Sequence, residues 1–169
     1  DKDGILEIVA PLEDLCTACP TRLMVIKKSI DILTLFSFET MYGSIHNVVD
    51  LNKDGRYEII VQNQEMGEAT NTYAIYNSTV LAFRGDVIVD VSDEFPERYE
   101  QRKARLQKRI KDMEAELADL RTNANKTNWS NEHIQILIKN LETAIREHEQ
   151  AIVKTEVLIS RTASPKTIQ

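Results

Sequence analysis

From Pro96 onward the apolar residues return at a spacing that only a helical seam explains. Tyr99, Leu106, Ile110, Met113, Leu117 and Leu120 follow one another in steps of seven, four and three. That is a 3.5-residue repeat, the spacing at which one stripe of a helix keeps facing a partner. Pro96 suits a first helical turn, and Ser92 or Asp93 offers a capping oxygen just before it. The polar stretch TNANKTNWSNE (122–132) interrupts the pattern. A second stripe then runs through Ile134, Ile138, Leu141, Ile145, His148, Ile152 and Ile159, widened by Leu137, Ala144, Ala151 and Leu158. Each helix is roughly 28 to 32 residues, about 40 Å long at 1.5 Å per residue. So short a connection between two such helices predicts an antiparallel hairpin over 95–162. The broad second stripe predicts contacts beyond the partner helix, and the tail 163–169 is expected to fray.

Residues 1–94 follow different rules. EIVA, RLMVIKKS, DILTLFSFE, YEIIVQN, TYAIYN, TVLAFRG and VIVDVS are rich in β-branched and aromatic residues. They read as short strands. Asp3-Gly4, Asp54-Gly55, Met66-Gly67 and Arg84-Gly85 read as the turns between them. The expected class is therefore α+β, antiparallel strands followed by a long helical hairpin.

Composition narrows the function. Hydrophobic residues make up 42% and charged residues 28% of 169, which suits a folded chain rather than a disordered one. No apolar run reaches the roughly 20 residues of a membrane span. The net charge of −6 argues against a nucleic-acid surface, which needs clustered cations. The basic residues of RYEQRKARLQKRIK (98–111) alternate with polar and apolar ones and read as a solvated helix face.

The segment DLNKDGRYEIIV (50–61) carries the clearest chemistry. Side-chain oxygens fall at Asp50, Asn52 and Asp54, Gly55 permits a sharp turn, Arg56 offers a backbone carbonyl, and Glu58 closes the set. Hard oxygen donors in this number suit Ca²⁺ rather than Zn²⁺, which favours Cys and His. An EF-hand opens in the same way but needs a Glu at its twelfth position, where Val61 stands, and a strand rather than a helix follows. The alternative is an Asx-type turn with no metal. The motif recurs at the start of the chain: DKDGILEIVA aligns with NKDGRYEIIV, placing Asp1, Asp3 and Glu7 opposite Asn52, Asp54 and Glu58. Further on, VIKKS (25–29) aligns with AIYNS (74–78), so a unit of about 50 residues is repeated.

Together, DLNKDGRYEIIV, YAIYN and VIVDVSDEFPERY resemble the FG-GAP or VCBS calcium-loop repeats of integrin-type β-propellers and secreted bacterial proteins. The resemblance covers about residues 1–99. It implies propeller-blade-like antiparallel β repeats and calcium held by Asp50, Asn52, Asp54 and Glu58. It also implies a periplasmic or extracellular location and a role in binding partners or supporting a structure. Two repeats are visible, the first without its opening Asp, whereas a closed propeller takes at least four blades. The exposed sheet edge therefore calls for a cover, either a partner chain or the hairpin.

Other residues offer less. Cys16 and Cys19 lack the following His of a haem site and the second pair of a zinc ribbon. They read as a local disulfide, with free structural thiols or a redox pair as alternatives. His46, His133 and His148 are spread along the sequence, and His148 falls on the apolar stripe as a packing residue. Trp129 stands between the helices and could staple their turn. Asn77, Asn125 and Asn128 each begin a glycosylation-type triplet. No catalytic constellation emerges. The expectation is a non-enzymatic, exported, calcium-binding interaction module, an accessory or assembly subunit that meets a protein partner or a second copy through its hairpin. A redox or chaperone-like protein using the cysteine pair is one alternative. A non-catalytic domain of a larger exported hydrolase is another.

Overall fold

The computed structural model describes residues 7–12, 21–29, 32–40, 43–65, 68, 71–85, 87–124 and 129–163. The chain is α+β. It divides into two compact units, one formed by Asp1–Gln64 with Tyr76–Ser92, the other by Glu65–Ile75 with Asp93–Gln169.

In the first unit, strands β1 (Glu7–Leu12), β2 (Thr21–Ser29) and β3 (Ile32–Thr40) form one antiparallel sheet in that order. Its register sets Glu7 opposite Lys27 and Thr21 opposite Thr40. A four-stranded antiparallel sheet follows, made of β4 (Gly43–Val49), β5 (Glu58–Glu65), β6 (Ile75–Arg84) and β7 (Val87–Asp90), again in chain order. Strands β5 and β6 supply its core, because their apolar residues alternate onto a common face. Ile59, Val61, Leu81 and Phe83 form one buried cluster with Ile88 against it.

Two features differ from the sequence reading. Strand β4 was not expected; its pairing slips between Ile45 and Asn47, and a bulge there breaks the period-two pattern. TYAIYN and TVLAFRG are not two strands. Asn71–Tyr73 is a short 3-10 turn, and β6 then runs unbroken from Ile75 to Arg84.

The second unit is built on α1 (Pro96–Asn123) and α2 (Asn131–Ala163). Pro96 opens α1 as expected, but neither Ser92 nor Asp93 caps it, since the cap position falls on Phe95 with no side-chain bond. Asp93 instead accepts a bond from the Tyr99 hydroxyl at 3.0 Å. In the first unit, Ser92 Oγ accepts from Val80 N at 2.9 Å. Ser130 caps α2, its Oγ accepting from His133 N at 3.2 Å. The helices run antiparallel: Lys103 pairs with Glu156 near one end and Arg121 with Glu142 near the other. Their seam is the expected one. Met113, Leu117, Leu141 and Ala144 are buried together, flanked by Ile110, Leu120, Ile138 and Ile145, and Leu106 meets Ala151 further along. Tyr73 and Ile75 complete these two clusters, so Glu65–Ile75 is part of the core of the hairpin's unit.

Leu141 is fully buried while Ile136 is 51% exposed. Leu141→Ala should therefore destabilise the chain by about 3 kcal/mol, whereas Ile136→Ala should stay within about 0.5 kcal/mol. Urea denaturation followed by circular dichroism checks both. Equal effects would contradict the seam described.

Candidate functional site

The eight residues between Val49 and Glu58 close the β4–β5 hairpin, because Val49 and Glu58 are register partners. Side-chain oxygens organise this loop from within. Asp50 accepts backbone N–H bonds through both carboxylate oxygens, from Asp54 at 3.0 Å and from Gly55 at 2.8 Å. Asn52 Oδ1 accepts from Asp54 N at 3.1 Å, and Asp54 Oδ1 from Arg56 N at 2.8 Å. These bonds curl the backbone so tightly that Lys53 and Gly55 take left-handed conformations, with φ of 60° and 82°. Glycine adopts that conformation without a Cβ penalty, which explains Gly55; Lys53 bears a modest strain.

Glu58 differs from the rest. It opens β5, is only 2% exposed, and accepts Leu51 N–H at 3.0 Å through Oε2. That bond draws its carboxylate to the mouth of the loop. Among the described residues no Lys or Arg pairs with it. An ionised carboxylate taken out of water is costly unless a positive charge or several donors meet it.

The sequence-derived calcium ligands thus fall into two groups. Asp50, Asn52, Asp54, Arg56 and Glu58 are brought into one loop, with Asn52, Asp54 and Arg56 exposed. Glu7 opens β1 opposite Lys27, while Asp1, Asp3, Cys16 and Cys19 lie outside the described residues. The donors of the hairpin loop fit Ca²⁺ in kind. A carboxylate oxygen that accepts one N–H keeps a second lone pair for a cation. They are not gathered around a common point, and among the described residues no three His, Cys, Asp or Glu side chains could hold a metal ion together.

A second concentration of polar groups lies inside the hairpin's unit, and the sequence reading passed over most of it. Arg102 is 5% exposed, within the apolar seam. It donates to Thr155 Oγ1 at 3.0 Å and forms an ion pair with Glu65. Thr155, fully buried, in turn donates its hydroxyl to Ala151 O at 2.7 Å. Arg102 Nε is left without a partner among the described residues. His148 is also buried, with Nδ1 2.8 Å from Ala144 O. A carbonyl only accepts, so Nδ1 carries the hydrogen. Burial holds the His148 ring below its ordinary pKa. The Ala144 bond opposes this, Arg109 adds to the lowering, and Glu147 and Glu65 oppose it again. Tyr73 donates its hydroxyl to Glu116 at 3.3 Å and lies under the Arg109 guanidinium, 5.8 Å from the ring centre. Burial, then Glu116, raises the Tyr73 pKa. The missed signal was spacing: Arg102 stands three residues after Tyr99 and four before Leu106, and Thr155 four after Ala151.

Compared with protein-family models, with curated proteins and with solved structures, the chain matches none.

The Glu65–Arg102 pair is largely shielded, at 27% and 6% side-chain exposure, whereas Glu156 of the Lys103 pair is 50% exposed. A double-mutant cycle of Glu65→Gln with Arg102→Met should give a coupling of about 2 kcal/mol. The corresponding Lys103–Glu156 cycle should give clearly less. Chemical denaturation of the four chains in each cycle measures this, and equal couplings would refute the shielding.

Proposed function

We propose that the chain is a non-enzymatic, calcium-stabilised interaction module that works in an exported compartment. The observation that carries this reading is Glu58, a carboxylate 2% exposed at the mouth of an oxygen-lined hairpin loop, with no cationic side chain paired to it among the described residues. A divalent cation is the natural complement of such a group. Asp50, Asn52, Asp54 and Glu58, which share no common point in the structure, would have to draw together to hold it, with the Arg56 carbonyl as a further donor. The cation would supply structure: it neutralises a carboxylate-rich loop and fixes the β4–β5 hairpin. Calcium affinities of such extracellular loops lie around 10⁻⁴ to 10⁻³ M, which matches compartments where the ion is abundant.

In this reading the β strands are blade-like repeats of the FG-GAP or VCBS type, and Asp1, Asp3 and Glu7 belong to a second such loop. The hairpin is the docking element for a protein partner. Its support is a crease between α1 and α2, floored by Leu117, Ala118 and Ile145 and bordered by Glu114, Arg121, Glu142 and Arg146. Charges of both signs around an apolar floor suit another protein surface better than a nucleic acid or an anionic membrane. No helix among the described residues is long and apolar enough to cross a membrane.

Calcium titration by calorimetry, with thermal melts in calcium and in chelator, tests the proposal. Heat should appear with a dissociation constant of about 10⁻⁴ to 10⁻³ M. Calcium at tenfold that concentration should add about 1.4 kcal/mol of stability. Both should vanish in Asp54→Ala and in Glu58→Gln, whose amide can still accept the Leu51 N–H. No heat and no shift in the unmodified chain would reduce the loop to an Asx turn and overturn the proposal.

A further inference from the structure

The crease between α1 and α2 carries a charge pattern that complements itself. Its border holds one acid and one base on each helix: Glu114 and Arg121 on α1, Glu142 and Arg146 on α2. The first two stand seven residues apart and the second two four. Each pair therefore lies on one side of its helix, about 10 Å and about 6 Å apart along the axis. The helices run in opposite directions, and the Arg121–Glu142 ion pair at 2.6 Å sets their level. At that end of the crease the base is on α1 and the acid on α2; at the other end the order is reversed. The charges thus alternate around the apolar floor of Leu117, Ala118 and Ile145.

We propose that the occupant of this crease is the same crease of a second copy of the chain, related by a twofold axis that crosses both helices. The midpoint of the acid–base pair on α1 falls between Leu117 and Ala118, and that on α2 falls at Ala144. Antiparallel pairing brings the two midpoints to one level within about 2 Å. A half-turn about an axis at that level lays α1 on α1 and α2 on α2, each pair antiparallel, as in a four-helix bundle. Glu114 then meets Arg121 of the second copy, and Glu142 meets Arg146 of the second copy. The symmetry makes each contact twice.

Other placements fit less well. A copy laid with α1 on α2 would have to match charges about 10 Å apart to charges about 6 Å apart. A copy whose helices ran in the same direction at the same level would set Glu on Glu and Arg on Arg. A nucleic acid would meet as many carboxylates as guanidinium groups. Arg121 and Glu142 are about half exposed, at 56% and 47%, and Glu114, Ala118 and Arg146 are exposed, so the surface is open to a copy. Exposed ion pairs fix orientation more than affinity, and three apolar side chains make a small floor. The dimer therefore belongs to the weak, concentration-dependent class. The inference rests on the reading of the hairpin as a docking element and names what docks there.

Analytical ultracentrifugation in chelator, from micromolar to millimolar chain, is the test. The unmodified chain should pass from monomer to dimer over that range. Ala118 is exposed beside the axis, so Ala118→Glu should abolish the dimer while the melt of the dilute monomer stays unchanged. Glu114→Arg and Arg121→Glu should each weaken self-association about tenfold. An equimolar mixture of those two variants should restore it, because each copy then supplies the charge that the other lacks. A monomer at every concentration would overturn the inference. So would a dimer indifferent to Ala118→Glu, or a mixture that associates no better than its components. None of these residues belongs to the cation loop, so the calcium titration decides the module reading separately: calcium heat from a monomeric chain would sink the dimer alone.

Discussion

One guanidinium sets the terms for the helical hairpin. Arg102 occupies a position where the seam repeat calls for an apolar side chain, and it is almost completely buried there. Burying that charge is expensive, and the cost falls only if oxygens meet it at that level. Thr155 supplies one from α2, and Glu65 supplies a carboxylate from the end of β5. A slip of one helix turn would set Arg102 against Ala151 or Ile159, neither of which offers a side-chain oxygen. The polar layer therefore discriminates between registers that the apolar residues alone would accept almost equally well. It also requires a third element to come to the helices, and Tyr73 and Ile75 are buried along with it.

The hairpin loop solves the opposite electrostatic problem. It concentrates carboxylates instead of isolating a cation. Its acids are satisfied one by one by backbone N–H groups, which turns each into a local staple. This suffices for Asp50 and Asp54, whose loop is largely in contact with water. Glu58 is in a different position, because it is 2% exposed and accepts a single N–H, from Leu51. The burial of that one acid is the feature on which the proposed calcium site rests.

Periodicity made the hairpin legible. Met113, Leu117 and Leu141 follow the helical spacing and are buried, and the second helix does touch more than its partner, as its broad stripe implied. The strands were legible where β-branched residues cluster, as in EIIV and TVLAF. They were not where the chain spends polar residues on a paired strand, as in GSIHNVV with its bulge. Tyr73 and Ile75 were read as part of a short strand, TYAIYN, because sequence cannot show that a residue near a strand end packs on a helix far along the chain. The loop could be read because all its donors are local. The Arg102, Glu65 and Thr155 cluster could not, because its three members come from separate elements and only their meeting gives them meaning. Arg102 was read as one more cation on a solvated face.

The hairpin's unit is discontinuous: Glu65–Ile75 lies well before the helices in the chain, with β6 and β7 in between. A chain made from its N-terminus produces Tyr73 and Ile75 first and their partners Leu106, Met113, Leu141 and Ala151 later. The two helices can associate through contacts close in sequence, which form quickly, but their core is finished only when a segment about 30 to 80 residues upstream closes a loop onto it. In that interval two large apolar side chains and the surface they will cover are both open to other molecules. That is the period in which a newly made chain of this design is most exposed to aggregation, and most open to a chaperone.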